Sequence, residues 1–153
     1  MTASRMYAVR TGLIDALEPI VTATSSMGLV VVEFQYRLGD GEPAESIWTQ
    51  NARYEASSAA MRAGKNYLDE VGRFDVCIKS DRPATNPKDA AKRADDLATV
   101  VTDAIGERKN NELGITGLQT LTVDGQGSVA ETRGDNTTVA WFTIPVRYTA
   151  RLT

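Results

Sequence analysis

The sequence contains no histidine and only one cysteine, Cys77. Without histidine the chain lacks the commonest general base and the commonest metal ligand. Ser-His-Asp triads, Cys-His pairs and histidine-based metal sites are therefore excluded within one chain, and only carboxylate or lysine chemistry stays formally open. A lone cysteine cannot close an intrachain disulfide, which fits assembly in a reducing cytoplasm. Long apolar runs are missing too. The longest, Leu29–Val32, is far too short to cross a bilayer, so no membrane contact is expected. At the N-terminus, Arg5 and Arg10 are followed by Asp15, Glu18 and Pro19, which interrupt any signal-peptide core. An excess of positive charge is absent as well: 17 Lys and Arg face 20 Asp and Glu, a formal net charge of −3. A protein that holds nucleic acid by neutralising phosphates is normally basic on at least one face.

What is present is ordinary for one domain. The 153 residues are 42% hydrophobic and 24% charged, enough to bury a core without disulfide or metal staples. The charge is unevenly placed. Between residues 28 and 72, Arg37, Arg53, Arg62 and Lys65 oppose Glu33, Asp40, Glu42, Glu45, Glu55, Asp69 and Glu70. The net charge sits there, and the flanks balance to zero.

Met6, Val9, Leu13, Leu17, Ile20 and Val21 recur at helical spacing, with Ile14 widening the stripe, and predict a helix over 3–23. Pro19 is expected to kink it or end it near Leu17. Residues 29–38 alternate, with Val30, Val32, Phe34, Tyr36 and Leu38 on one face, and predict a half-buried strand. Gly39-Asp40-Gly41-Glu42-Pro43 stops it. Residues 39–72 follow as a long loop or projecting arm. Within it, 46–50 has the makings of a short strand, and the loose Ala, Met and Leu spacing of 56–68 leaves a helical turn or a long excursion open. Phe74, Val76 and Ile78 predict a second strand. Asn86, Pro87 and Asp89 mark a helix start. Ala90, Ala94, Leu97, Ala98, Val101 and Ile105 carry that helix to about Arg108. Leu121 and Val123 predict a strand, 124–138 a loose hairpin loop, and 139–152 a strand with the cleanest alternation in the chain. Pro145 predicts that this last strand lies at an edge or carries a bulge. The expected fold is α+β: one domain over 1–153, with a single mixed, mainly antiparallel sheet flanked by two helices, and the arm after the first strand.

Three segments carry a resemblance to a known family. They are the opening helix Val9-Arg10-Thr11-Gly12-Leu13-Ile14-Asp15-Ala16-Leu17, the strand Phe74-Asp75-Val76-Cys77-Ile78-Lys79 with the alanine-rich helix after it, and the closing Phe142-Thr143-Ile144-Pro145-Val146-Arg147-Tyr148-Thr149-Ala150-Arg151. Together they resemble the tail-terminator (minor tail protein) family of long-tailed bacteriophages. The resemblance covers most of the chain and rests on patterns of residue type. It implies a structural virion protein, with no catalysis and no cofactor. It implies a homo-oligomeric ring, usually of six subunits, at the head-proximal end of the tail tube. Such a ring ends tube polymerisation and joins the tube protein to the head-tail connector or a head-completion protein. DNA is then a passenger in the channel, without sequence-specific contacts. A head-closure or tail-completion neck protein is the alternative. A small ligand-binding or enzymatic α+β domain is the less favoured third.

Interface candidates follow from side-chain type. Trp48, Tyr54 and Trp141 are large aromatics off the core stripes, as interface anchors are. Arg147 and Arg151 lie on the polar face of the last strand, placed to pair with acidic residues of a neighbouring subunit or of the tube. Asp40, Glu42 and Glu45 are candidates for an acidic, channel-facing loop that lets DNA pass without sticking. The plainer alternatives are partial burial for the aromatics, a solvated sheet face for the two arginines and a solvated turn for the acidic stretch. Gly125-Gln126-Gly127-Ser128 lacks the lysine of a phosphate loop and reads as a turn.

Overall fold

The computed structural model describes residues 4–23, 30–37, 43–62, 65–83, 87–106 and 113–152. Among the described residues two helices, α1 (Met6–Ala23) and α2 (Pro87–Gly106), accompany six strands. The strands are β1 (Val31–Val32), β2 (Glu45–Arg62), β3 (Lys65–Pro83), β4 (Leu118–Val123), β5 (Ser128–Arg133) and β6 (Thr137–Leu152). They form one sheet in the order β1-β2-β3-β6-β4, with β5 also paired to β6. Only β1 and β2 run parallel; every other pair is antiparallel. The fold is therefore α+β with a mixed, mainly antiparallel sheet.

Both helices pack on one face. Register places Ile47 opposite Ile78 and Ile78 opposite Phe142, with Val76 opposite Ile144 and Phe74 opposite Val146 further along. These side chains meet Val9, Leu13 and Leu17 of α1 and Ala94, Leu97 and Val101 of α2 in one apolar layer. Burial of each large side chain there contributes about 1.5–3 kcal/mol. Every apolar position expected on α2, from Ala90 to Ile105, is buried. Asn86, the expected cap, and Arg108, the expected end, lie outside the described residues.

The start of α1 is capped twice. The Ser4 hydroxyl accepts the Met6 amide at 3.0 Å, and a carboxylate oxygen of Glu70 on β3 accepts the Arg5 amide at 3.0 Å. The early end expected near Leu17 does not occur: α1 runs on through Pro19 to Ala23. Pro19 and Asp15, whose carbonyl loses its partner, are both exposed, so water is at hand there. Val21, one residue past the proline's neighbour, is fully buried and holds the last turn down. Ile20 turns outward and is 37% exposed.

Four further expectations are corrected. The long first strand is a two-residue parallel bridge, Val31–Val32, while Leu29 and Leu38 lie outside the described residues. Beyond it the chain crosses the sheet edge. Phe34 packs against Tyr7 and under Arg10 on the helix side, and Tyr36 packs on Trp48 on the other side. The strand expected at 46–50 is there, but it runs on: residues 45–62 and 65–72, with no helical turn among them, are the two paired strands of a long hairpin. The expected loop 124–138 contains β5, which pairs with β6 from Ser128 opposite Thr143 to Arg133 opposite Thr138.

Pro145, finally, lies neither at an edge nor in a bulge. It is opposite Asp75 in the continuous β3–β6 ladder. On its other side, β4 ends at Val123 opposite Val146 and β5 begins at Ser128 opposite Thr143. The Pro145 carbonyl accepts the Asp124 amide at 3.0 Å, so its nitrogen faces that same side. The missing N–H thus falls at the joint between two strands, where no ladder bond is required.

Candidate interaction surface

The sheet face away from the helices carries the polar side chains of β2, β3 and β6. Three features organise it.

The first is a bulge in β2. Gln50 is opposite Asp75, yet Arg53 is opposite Arg73, so β2 spends one residue more than β3 over this interval. Asn51 takes up the strain at φ 54°, a conformation open to asparagine at modest cost. Its amide donates to Asp75 at 3.0 Å. The extra residue reverses the alternation. Before it, Trp48 and Gln50 share the outer face; after it, Arg53 and Glu55 do.

The second is the row Arg53–Arg73–Arg147, directly opposite one another across β2, β3 and β6. Asp124 lies 3.3 Å from Arg73 and 3.9 Å from Arg147. Together with Tyr54, Glu55 and Val71, the three arginines line a groove of about 510 Å³.

The third is the exposed stretch of β2 itself. Residues 51–57 are exposed, and beyond Gln50 β2 pairs with β3 alone among the described residues.

The candidates from sequence are not gathered in one place. Tyr54 is 55% exposed on the hairpin. Trp141 is half-buried on the outer face, opposite Lys79 and Ala130. Trp48 is buried within the chain, 4.6 Å from the Tyr36 ring with its indole N–H donated to Gln50, so it is no free anchor. Arg151 makes a forked contact with Asp69 at 3.0 and 3.5 Å, a partner inside the chain. Asp40 and Glu42 lie outside the described residues. Glu45 does not face a channel as a free acid: it bridges Arg82 at 2.9 Å and Arg93 at 2.6 Å, tying β2 to α2.

Two groups went unseen in the sequence. Arg53 and Arg73 join Arg147 only through cross-strand register. Glu70 is buried and accepts from Ser4 at 3.1 Å, from the Arg5 amide and from Tyr148. Gly72 makes that arrangement fit, because a Cβ there would lie 2.0 Å from the Tyr148 ring. Burial, then the bond to Glu70, pushes the Tyr148 hydroxyl pKa well up. Burial pushes the Cys77 thiol up to about 11, against the lowering effect of its hydrogen bond with Thr143. Arg10, which donates to the Thr49 hydroxyl at 2.9 Å, has its pKa lowered by burial.

No protein-family model matches this chain, and comparison with curated proteins gives no match.

Proposed function

We propose that the protein is a structural, non-enzymatic subunit of a bacteriophage tail, of the tail-terminator type. In this reading identical subunits, six in the expected case, close into a ring on the head-proximal end of the tail tube. The ring stops tube growth and offers its other surface to the head-tail connector or a head-completion protein, and DNA passes through its channel. Closed symmetry ends growth because each lateral interface is used up by a neighbour.

The reading is supported by the resemblance of the opening helix, the middle strand and the closing strand. The structural observation that favours it is the outer edge of β2, which beyond Gln50 has no strand partner among the described residues, with residues 51–57 exposed. An unpaired strand edge is a template for strand addition by another chain. Tyr54 stands beside that edge as an exposed aromatic.

The test is negative-stain imaging of the protein mixed with purified tail tubes that lack a terminator. Rings seated on one tube end, with length no longer increasing, are the expected result. Tyr54→Glu should fold as the parent does and seat fewer rings. Tubes that stay bare and continue to lengthen would overturn the terminator role in favour of a head-side neck protein.

A further inference from the structure

We propose that Arg53, Arg73 and Arg147 form a binding site for a phosphate group. The inference is independent of the ring reading. Arg53 is opposite Arg73, and Arg73 is opposite Arg147. Adjacent strands lie about 4.8 Å apart, so three guanidinium side chains rise abreast from a span of roughly 10 Å. Like charges directly opposite one another destabilise a sheet, and hairpin stability alone therefore gives no reason for the row.

Its neutralisation is incomplete. Asp124 is shared between two of the arginines, at 3.3 Å from Arg73 and 3.9 Å from Arg147. No carboxylate among the described residues pairs with Arg53. In the groove three guanidinium groups thus face two carboxylates, Glu55 and the shared Asp124. The β2 bulge sets the register: unbulged pairing of the same residues onward from Gln50 would put Ala52, not Arg53, opposite Arg73.

The shape of the site selects the ligand. The row floors a groove of about 510 Å³, a volume that suits a small ligand. The planar guanidinium fork matches two phosphate oxygens at once. Acidic groups bound the row along the strands, with Glu55 on one side and Asp75 on the other. They leave room for one compact phosphate-bearing group and repel a long polyanion laid across them. A diphosphate and a single backbone phosphate of nucleic acid share this chemistry.

The experiment is calorimetric titration of the full chain at low salt, with inorganic pyrophosphate and separately with a short DNA duplex. The expected result is saturable binding of pyrophosphate at one site per chain. Arg53→Ala should weaken it by about tenfold or more, the loss of a charged hydrogen bond. Because Arg53 has no described partner to lose, this variant should keep the parent melting temperature. Arg73→Ala should act likewise, and Asp124→Asn should tighten binding by releasing two guanidinium groups. Arg133→Ala, exposed on β5, should leave it unchanged. Binding of the duplex alone, lost in Arg53→Ala, would support the site and identify nucleic acid as the source of the phosphate. Failure of both probes to saturate, or equal binding by the parent and Arg53→Ala, would overturn the proposal.

Discussion

Strands β2 and β6 are similar in length, 18 and 16 residues, and both flank β3. They are built by different rules. From Ala140 to Leu152, β6 keeps a single alternation, with partners on both sides. β2 reverses its alternation at Asn51 and beyond Gln50 has one described partner. A central strand cannot afford a slip, because a shift of one residue would turn all its apolar side chains outward. An edge strand can absorb an extra residue and use it to re-aim its side chains. The rigid rule builds the core; the relaxed rule places Arg53 beside Arg73.

The contrast can be broken most severely at the seam between β3 and β6, where Gly72 is opposite Tyr148. Gly72→Ala puts a methyl group into the Tyr148 ring. It should cost more than about 3 kcal/mol by urea denaturation, and Tyr148→Leu in the same chain should recover part of that loss.

The next largest effect is set by pH. Cys77 lies between the two strands, opposite Trp48 and Thr143. Its thiol holds its proton to about pH 11 when folded, against an ordinary value of 9.0. The folded state therefore binds the proton more tightly. The resulting stability is fully present below pH 9 and is lost as pH rises through 11, by about 2–3 kcal/mol. Tyr148, also shifted upward, adds a loss of the same sign. Melting curves between pH 8 and 11 should show the decline, and Cys77→Ala should flatten its lower part.

On β2 the effects are smaller. Glu45→Ala removes the carboxylate that bridges Arg82 and Arg93 and should cost about 2 kcal/mol by urea denaturation. Asn51→Ala should cost about 1 kcal/mol more than Asn51→Gly, because alanine resists the left-handed backbone there. A larger penalty at Asn51 than at Gly72 would invert the comparison.

The same contrast explains what could be read from the chain alone. β6 and α2 were legible residue by residue because each holds one period from end to end. β2 was not. Its bulge splits the pattern into two halves out of phase, and Ala56, Ser57, Ser58 and Ala59 add little contrast in polarity. β5 was invisible for another reason: all six of its residues are exposed, so there is no alternation to find. Trp48 looked free because it sits on the nominally polar face. It is buried because residues 33–37 cross the edge and set Tyr36 over it. Of the arginine row, Arg147 was visible on its strand, whereas Arg53 and Arg73 join it through long-range register that no local pattern encodes.

The proline joint gives the sheet a mechanical property. β6 is fastened on one side by two short zippers laid end to end, β5 over 138–143 and β4 over 146–150, with Pro145 between them. A pull on the turn at 134–136 opens the first zipper one rung at a time, from Arg133 back to Ser128. At Pro145 there is no amide to release, and the next rung belongs to the other zipper. Peeling of the first zipper therefore has to start afresh on the second before it reaches Tyr148 and the carboxylate that anchors the first helix.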